Sequence, residues 1–251
     1  MDRARFSQIA HAGIRFWNPV DPDVLEAWIA RLPLSPSSRV LDVGCGRGEL
    51  LLRLAEVHGC GGVGVDIAES SIEHARGEAG RRVPRVGVMF EHGPFEAGAF
   101  EPAAFDLAVC IGSGHAVGGY RAGLETLSGL VTPGGQLLIG EGYWRRDPDP
   151  GYLGFLGCTR DDLNTHAGNI ALAESLGLGV VDTHETSDAA WAAYEDTYHA
   201  NVLRHLERHP DDPDRGAMRA RIEGWREAYQ RWGRETLGFG LYLLQIPRND
   251  G

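Results

Sequence analysis

The chain of 251 residues contains no lysine: all 24 of its strong cations are arginine. Schiff-base enzymes need a lysine amine, and a Walker A phosphate loop needs the lysine of GxxxxGK(S/T). Both chemistries are excluded. An arginine-biased genome would strip lysine in the same way, so the absence narrows the field without pointing anywhere. Clustered positive charge is also lacking, with no run of arginine longer than two and a formal net charge of −11. Phosphate backbones attract clustered cations, so nucleic acid is not an expected partner. Cysteine is sparse: Cys45, Cys60, Cys110 and Cys158 are scattered without a CxxC, which suggests neither a zinc site nor a disulfide framework. No apolar stretch approaches the roughly 18–20 residues of a membrane helix. The opening MDRARFSQIAHAG is too polar for a secretory signal. The expectation is a cytoplasmic protein without a membrane partner, and nothing in the pattern indicates an oligomeric state.

What is present is more informative. Hydrophobic residues make up 43% of the chain, which suits one domain with a substantial core. SRVLDV (38–43), GGVGVDI (61–67), VGVMF (86–90), FDLAVCI (105–111) and GQLLIGE (135–141) read as strands. Between them, Arg47 to His58 carries an apolar face of leucines at 50, 51, 52 and 54. Glu69 to Ala79 reads as a helix opened by Ser70 and Ser71, and a helix at 118–131 stops before Pro133-Gly134-Gly135. This alternation implies βαβ units around a parallel sheet, and near-continuous apolar strands imply that both faces are covered. A helix at 160–176 and LGVVDTH (178–184) follow. Then Trp191, Tyr194, Tyr198, Val202 and Leu206 recur at helical spacing, as do Ile222, Trp225, Tyr229 and Trp232 after the breaker HPDDPDRG (209–216). These stripes predict a helical hairpin, its aromatic faces buried, before a final strand GFGLYLLQI (238–246).

The strongest motif is VLDVGCGRGEL (40–50), a strand running into a glycine turn and then a helix. Glycines at 44, 46 and 48 permit a sharp turn and close approach of a ligand to the main chain. The following helix offers unpaired N–H groups. Asp66 ends the next strand, where a doubly wound sheet places a carboxylate that can accept from both hydroxyls of a ribose. A nicotinamide dinucleotide site shares these features. The GxGxxG fingerprint, however, needs a glycine where this chain has Glu49, and Asp42 would oppose a pyrophosphate while suiting an amino group. A ligand with an ammonium and a ribose is favoured, and S-adenosylmethionine matches that description.

VLDVGCGRG followed by VGVDIAESSIEHAR resembles motifs I and II of the class I S-adenosylmethionine-dependent methyltransferases. FDLAVCIGSGHAVGG resembles the motif at their fourth strand, and LVTPGGQLLIGEGYWR their PGG turn and fifth strand. GEGYWR and the hairpin are similar to an uncharacterised bacterial branch of small-molecule enzymes. The resemblance implies an α/β fold, a Rossmann-like seven-stranded, mostly parallel sheet with helices on both faces and the hairpin before the last strand. Residues 1–37 would form an N-terminal helical arm over the active site and 38–184 the cofactor-binding core. Residues 185–236 would be the hairpin, a candidate lid, and 237–251 the final strand. By position, Gly44, Cys45, Gly46 and Gly48 would lie under the methionine moiety, with Asp42 near its amino group. Asp66 would hold the ribose and Ile67 pack on the adenine. Where many relatives have an Asp at the adenine edge this chain has Pro94, so backbone around Gly93 and Phe95 would take that part. Backbone of Cys110 and Ile111 would border the methionine amino group.

Ligands of open α/β sheets bind beyond the carboxyl ends of the strands. His115, after strand four, and Glu141, after strand five, are therefore the catalytic candidates. His115 has a suitable unperturbed pKa for a general base, and Glu141 could position an acceptor hydroxyl or amine. Ser113, Tyr143, Trp144 and the lid residue Tyr194 are candidate acceptor contacts. So are His11 and Trp17, in an arm segment with Phe16 and Asn18 that folds over the pocket in this superfamily. His205 and His209 stand four apart without an HExxH, and a metal-dependent catechol-type enzyme would want an Asp-Asn pair after strand five, a dipeptide absent from this chain. A metal-independent transfer to a small-molecule acceptor is expected. Two competing readings stand beside it: an NAD(P)-dependent oxidoreductase, and a non-catalytic S-adenosylmethionine-binding regulatory module.

Overall fold

The computed structural model describes residues 1–248; positions 249–251 of the expected final segment lie outside the described residues. Strands β1 (Arg39–Val43), β2 (Gly61–Asp66), β3 (Val88–His92), β4 (Phe105–Ile111) and β5 (Val131–Trp144) are mutually parallel. β7 (Leu237–Gln245) runs antiparallel between β5 and β6 (Gly179–Glu185). The order β3-β2-β1-β4-β5-β7-β6 reverses between β1 and β4. There the connections leave for opposite faces, and a crevice opens beyond the strand ends.

The helices follow from local chemistry. α1 (Arg3–Ala10) is capped by Asp2, whose carboxylate accepts from Ala4 N–H at 2.8 Å. In α2 (Pro22–Arg31), Asp21 accepts from Asp23 N–H at 2.9 Å and Pro22 supplies the first turn. α3 (Glu49–His58) buries Leu51, Leu52, Leu54 and Ala55 and ends at Gly59. α4 (Glu69–Arg82) buries Ile72 and Ala75, and with α2 and α3 it covers one face of the sheet. α5 (Tyr120–Leu130) and α7 (His166–Ser175) cover the other through Leu124, Leu127 and Ala173. Each fully buried leucine contributes roughly 1.5–3 kcal/mol.

Between β6 and β7 lie α8 (Asp188–Arg208) and α9 (Arg215–Ala228), a helical pair at the place predicted from the two stripes. Val202 and Leu206 pack with Met218 and Ile222, and Phe6 and Ala10 of α1 complete the cluster. Asn201 donates to the carbonyls of Ala10 (2.9 Å) and Ala12 (2.7 Å), which fastens the arm to the hairpin. The buried Glu195 carboxylate accepts from both Trp191 (3.3 Å) and Trp225 (2.8 Å), joining α8 to α9. His205 bonds Asp212 at 2.8 Å.

Several elements differ from the sequence expectation. The helix at 160–176 is a 3-10 turn, Arg160–Asp162, followed by α7, because Thr165 accepts from Gly168 N–H at 3.0 Å and starts a new helix. α6 (Pro150–Leu156) was not expected, although Asp149 and Pro150 form an ordinary helix start, with Asp149 accepting from Gly151 N–H at 2.7 Å. β5 extends well beyond 135–141 at both ends: β7 pairs with it as far as Trp144, and at its start Val131 pairs with Phe105 of β4. Ser70 and Ser71 do not cap α4; its N-cap is Ala68. Among the described residues no helix is long and apolar enough to cross a membrane.

Candidate active site

A cavity of about 460 Å³ lies at the carboxyl ends of β1, β2 and β4, within the usual size range of small-molecule sites. Asp42, the turn from Gly44 to Arg47, Asp66, Ile67 and the segment Ile111–Ser113 line one side. Residues of the arm, among them His11 and Trp17, line the other together with Tyr194 of α8. The turn exists because of its glycines. Gly44 has φ +69°, and a Cβ there would meet the Ser113 hydroxyl at 2.1 Å. The Gly44 and Cys45 amides both donate to the Val65 carbonyl, at 2.8 and 3.1 Å, and tie the turn to the end of β2.

The two carboxylates on this wall are held differently. Asp66 accepts from Gly46 N–H and Ala68 N–H, each at 2.8 Å, so its orientation is set by backbone. Asp42 is only 4% exposed, and its Oδ2 has no hydrogen-bond partner. Burial, and then the negative charge of Asp66, push its pKa up to about 7. Arg47 Nε and Ser71 Oγ are likewise buried without partners, and both residues line the cavity. Buried polar atoms in proteins are nearly always satisfied. Three unpartnered ones around one cavity mark it as a polar-ligand site.

On the arm side, His11 Nδ1 lies 2.8 Å from the Ser7 carbonyl, and its Nε2 lies 2.8 Å from the Tyr194 hydroxyl. A carbonyl only accepts, so Nδ1 carries the proton and Nε2 receives the tyrosine O–H. Burial lowers the His11 pKa to about 4 and keeps the ring neutral. The Trp17 indole stacks on it, 4.6 Å between centroids and 12° between planes. Burial also raises the Tyr194 phenol.

The cavity therefore gathers Asp42, Gly44, Cys45, Gly46, Asp66, Ile67, Ile111, Ser113, His11, Trp17 and Tyr194. Other residues singled out in the sequence lie elsewhere. Gly48 starts α3 against the Phe90 ring, Cys110 is buried within β4, and Phe95 packs on Phe100. Gly93 donates to the Asp66 carbonyl at 3.0 Å. His115 is exposed in a 3-10 turn, Gly114–Val117, outside the lining. Glu141 accepts from its own neighbour Gly142 N–H at 2.9 Å and lies against Gly114, its pKa raised by burial. Tyr143 and Trp144 belong to the extended part of β5. They are buried there, the phenol donating to Glu185 at 2.5 Å and the indole to the Arg160 carbonyl at 2.8 Å. His115, Glu141, Tyr143 and Trp144, expected at the acceptor pocket, thus lie outside the lining of this cavity. Conversely, Arg15, Arg47 and Ser71 line the cavity without having been singled out. Arg47 stood inside the quoted glycine motif; Ser71 had been read as a helix start.

The strand order and a carboxylate-bearing glycine turn at its switch point define an α/β enzyme class that binds an adenosyl ligand beyond β1 and β2. The chain belongs to the methyltransferase-domain family, whose profile matches residues 34–170. It is 32% identical to the uncharacterized protein YjhP of Escherichia coli over 97% of this chain and 99% of that protein. It also superposes on a SAM-dependent methyltransferase of Geobacter sulfurreducens crystallised with S-adenosyl-L-homocysteine, at TM-score 0.87 and 31% identity, covering 97% and 98% of the two chains. The 27-O-demethylrifamycin SV methyltransferase of Amycolatopsis mediterranei is 29% identical over 44% of this chain and 40% of that protein.

Proposed function

We propose that the protein transfers a methyl group from S-adenosylmethionine to a protonated nucleophile of a small molecule, without a metal ion. The observation that carries this reading is Asp42, a buried carboxylate with an unpartnered oxygen beside a glycine turn, facing the same cavity as a backbone-anchored Asp66. That donor set fits the cofactor. Asp42 accepts from its ammonium, and the free lone pairs of Asp66 accept from the ribose hydroxyls. Ile67, 67% exposed, offers an apolar surface to the adenine, with backbone near Gly93 and Phe95 at its edge. A pyrophosphate beside Asp42 would be repelled, which opposes the nicotinamide reading.

When bound, the cofactor supplies an electrophilic methyl group on a sulfonium. The chain supplies position and a proton acceptor. In this reading the His11–Tyr194 pair takes the part first assigned to His115 and Glu141. The acceptor O–H donates to Tyr194 Oη while the tyrosine proton moves to His11 Nε2. The acceptor oxygen would take the methyl group that the cofactor supplies, with S-adenosylhomocysteine as the other product. Trp17 and Ser113 line the same cavity and would contact the acceptor. The O-methylating relative from Amycolatopsis supports an oxygen nucleophile.

Calorimetric titration of the pure protein with S-adenosylmethionine and S-adenosylhomocysteine tests the cofactor, and formation of the latter over a panel of phenols, alcohols and amines tests turnover. Absence of binding by either ligand would overturn the reading. Turnover abolished by EDTA and restored by a divalent ion would overturn its metal independence. Binding without turnover would favour the regulatory module.

A further inference from the structure

A second cavity is enclosed by α6, α8 and the end of α9, and it shares no lining residue with the first. On its wall is Glu195, a residue only 3% exposed. The two indoles that donate to this carboxylate, Trp191 and Trp225, also line the cavity, as do Tyr152, Tyr229 and Phe155. Indole N–H groups are neutral, so they solvate the charge without balancing it. Arg226, whose charge reaches Glu195, is engaged by Asp196. Burial pushes the Glu195 carboxyl up from its ordinary value. Burial and then the Glu195 charge raise the Tyr152 and Tyr229 phenols, which places both close to it. Apolar side chains would join the two helices at no such cost. Tyr229 also opens a π-helical turn, Tyr229–Gly233, a rare form that clusters at functional sites. The cavity is small, about 10 Å³, which admits one water-sized group. Phe155, 44% exposed, forms its outer wall.

A compact cation fits this set. A primary ammonium is close to water in size, carries three N–H donors and is attracted to ring faces. Glu195 and the two phenol oxygens supply its acceptors, whereas a quaternary ammonium is bulkier and would leave them unused. This chain has no lysine to offer such a group, and its Met1 amino group pairs with Asp214. Neither the chain itself nor a second copy therefore fills the cavity. We propose that the Glu195 cavity binds the ammonium group of a small primary alkylamine, whose carbon chain leaves past Phe155. The site stands apart from the transfer cavity and does not depend on the identity of the cofactor. Tyr194 and Glu195 are successive residues of α8, so an occupant here bears on the helix that lines that cavity.

The test is calorimetric titration of the wild type with n-butylammonium, tetramethylammonium and 1-butanol, each with and without S-adenosylhomocysteine. One equivalent of n-butylammonium is expected to bind, about ten- to hundredfold tighter than the other two, as for a charge-assisted hydrogen bond. S-adenosylhomocysteine should not compete with it. Glu195→Gln, whose amide oxygen can still accept from an indole, should lose the preference for n-butylammonium over 1-butanol. Tyr229→Phe keeps the carboxylate and the ring, and should weaken n-butylammonium by about two- to tenfold. It decides the matter should Glu195→Gln fail to fold. Absence of binding in the millimolar range, or equal binding of 1-butanol, would overturn the assignment. So would full affinity in either variant, or competition with S-adenosylhomocysteine, which would put the amine in the transfer cavity.

Discussion

Replacing Asp42 by Asn should stabilise the ligand-free protein at alkaline pH while nearly abolishing cofactor binding. The carboxyl titrates near 7 in the fold, against an ordinary 3.8. Its folded pKa is raised, so the folded state holds a proton that the unfolded state has lost between these values. Stability contributed by the protonated group is complete below about pH 3.8 and is lost as pH rises through 7. The three-unit difference corresponds to about 4 kcal/mol. An asparagine carries no such penalty, although its buried amide costs about 1–2 kcal/mol of desolvation. In urea titrations at pH 8, Asp42→Asn should therefore be about 2–3 kcal/mol more stable than the wild type, and the gap should close as pH falls towards 4. Seating an ammonium beside the carboxyl reverses the preference and expels the proton. S-adenosylmethionine affinity should then rise about tenfold per pH unit up to 7 and level off. At pH 6 about 0.9 proton should be released per cofactor bound, measured calorimetrically in buffers of different ionisation enthalpy. Affinity that is flat from pH 5.5 to 7 with no buffer dependence, or an Asp42→Asn variant less stable than wild type at pH 8, would refute the reasoning.

Other outcomes follow from the same geometry. His11 is buried with its pKa lowered to about 4 from 6.5. It contributes stability that is present above 6.5 and lost as pH falls towards 4, about 3 kcal/mol in all. The difference in unfolding free energy between wild type and His11→Gln should shrink by that amount across this range, and parallel pH curves would contradict it. In a turnover assay with an O–H acceptor, His11→Gln and Tyr194→Phe should each lower kcat by about a hundredfold or more and leave S-adenosylhomocysteine binding within about threefold. A loss confined to KM would leave the pair only an acceptor-binding role. Gly44→Ala meets both φ +69° and the Ser113 hydroxyl. It should weaken cofactor binding by more than tenfold and lower stability by about 1–3 kcal/mol, whereas Gly77→Ala, on the open face of α4 with no neighbour near the added carbon, should leave both unchanged or gain slightly in stability.

Local pattern carried much of the fold. Apolar strand runs and leucine spacing marked β1 to β5 and the helix after the glycine turn, because a doubly covered sheet leaves continuous hydrophobic strands. Helix starts inside loops were harder to see. Thr165 and Asp149 act through single side-chain bonds that many serines, threonines and aspartates could make and few do. Ser71 shows the converse: a good capping residue by type, it caps nothing and faces the cavity.

The glycine-turn wall of the cavity was legible because its parts are close in sequence. Asp42, the glycines and Asp66 belong to one β-turn-α-β unit, whose handedness and strand order place them together. The arm side of the cavity was legible only residue by residue: His11, Trp17 and Tyr194 were expected at the pocket, but not their contact with one another. His11 and Tyr194 are 183 residues apart and meet because α1 packs on α8 through Phe6, Ala10, Val202 and Leu206, with Asn201 holding the end of the arm. No spacing rule encodes that contact. His115 stands at the right strand end, but a 3-10 turn carries it out of the lining. Tyr143 and Trp144 are held in the sheet by pairing with β7, almost a hundred residues downstream. The amino-acid sequence by itself determined the strand runs, the glycine turn and the two acids beside it, since short-range sterics and periodicity suffice for these. Which histidine lines the cavity, and that it meets Tyr194 there, were decided by long-range packing alone.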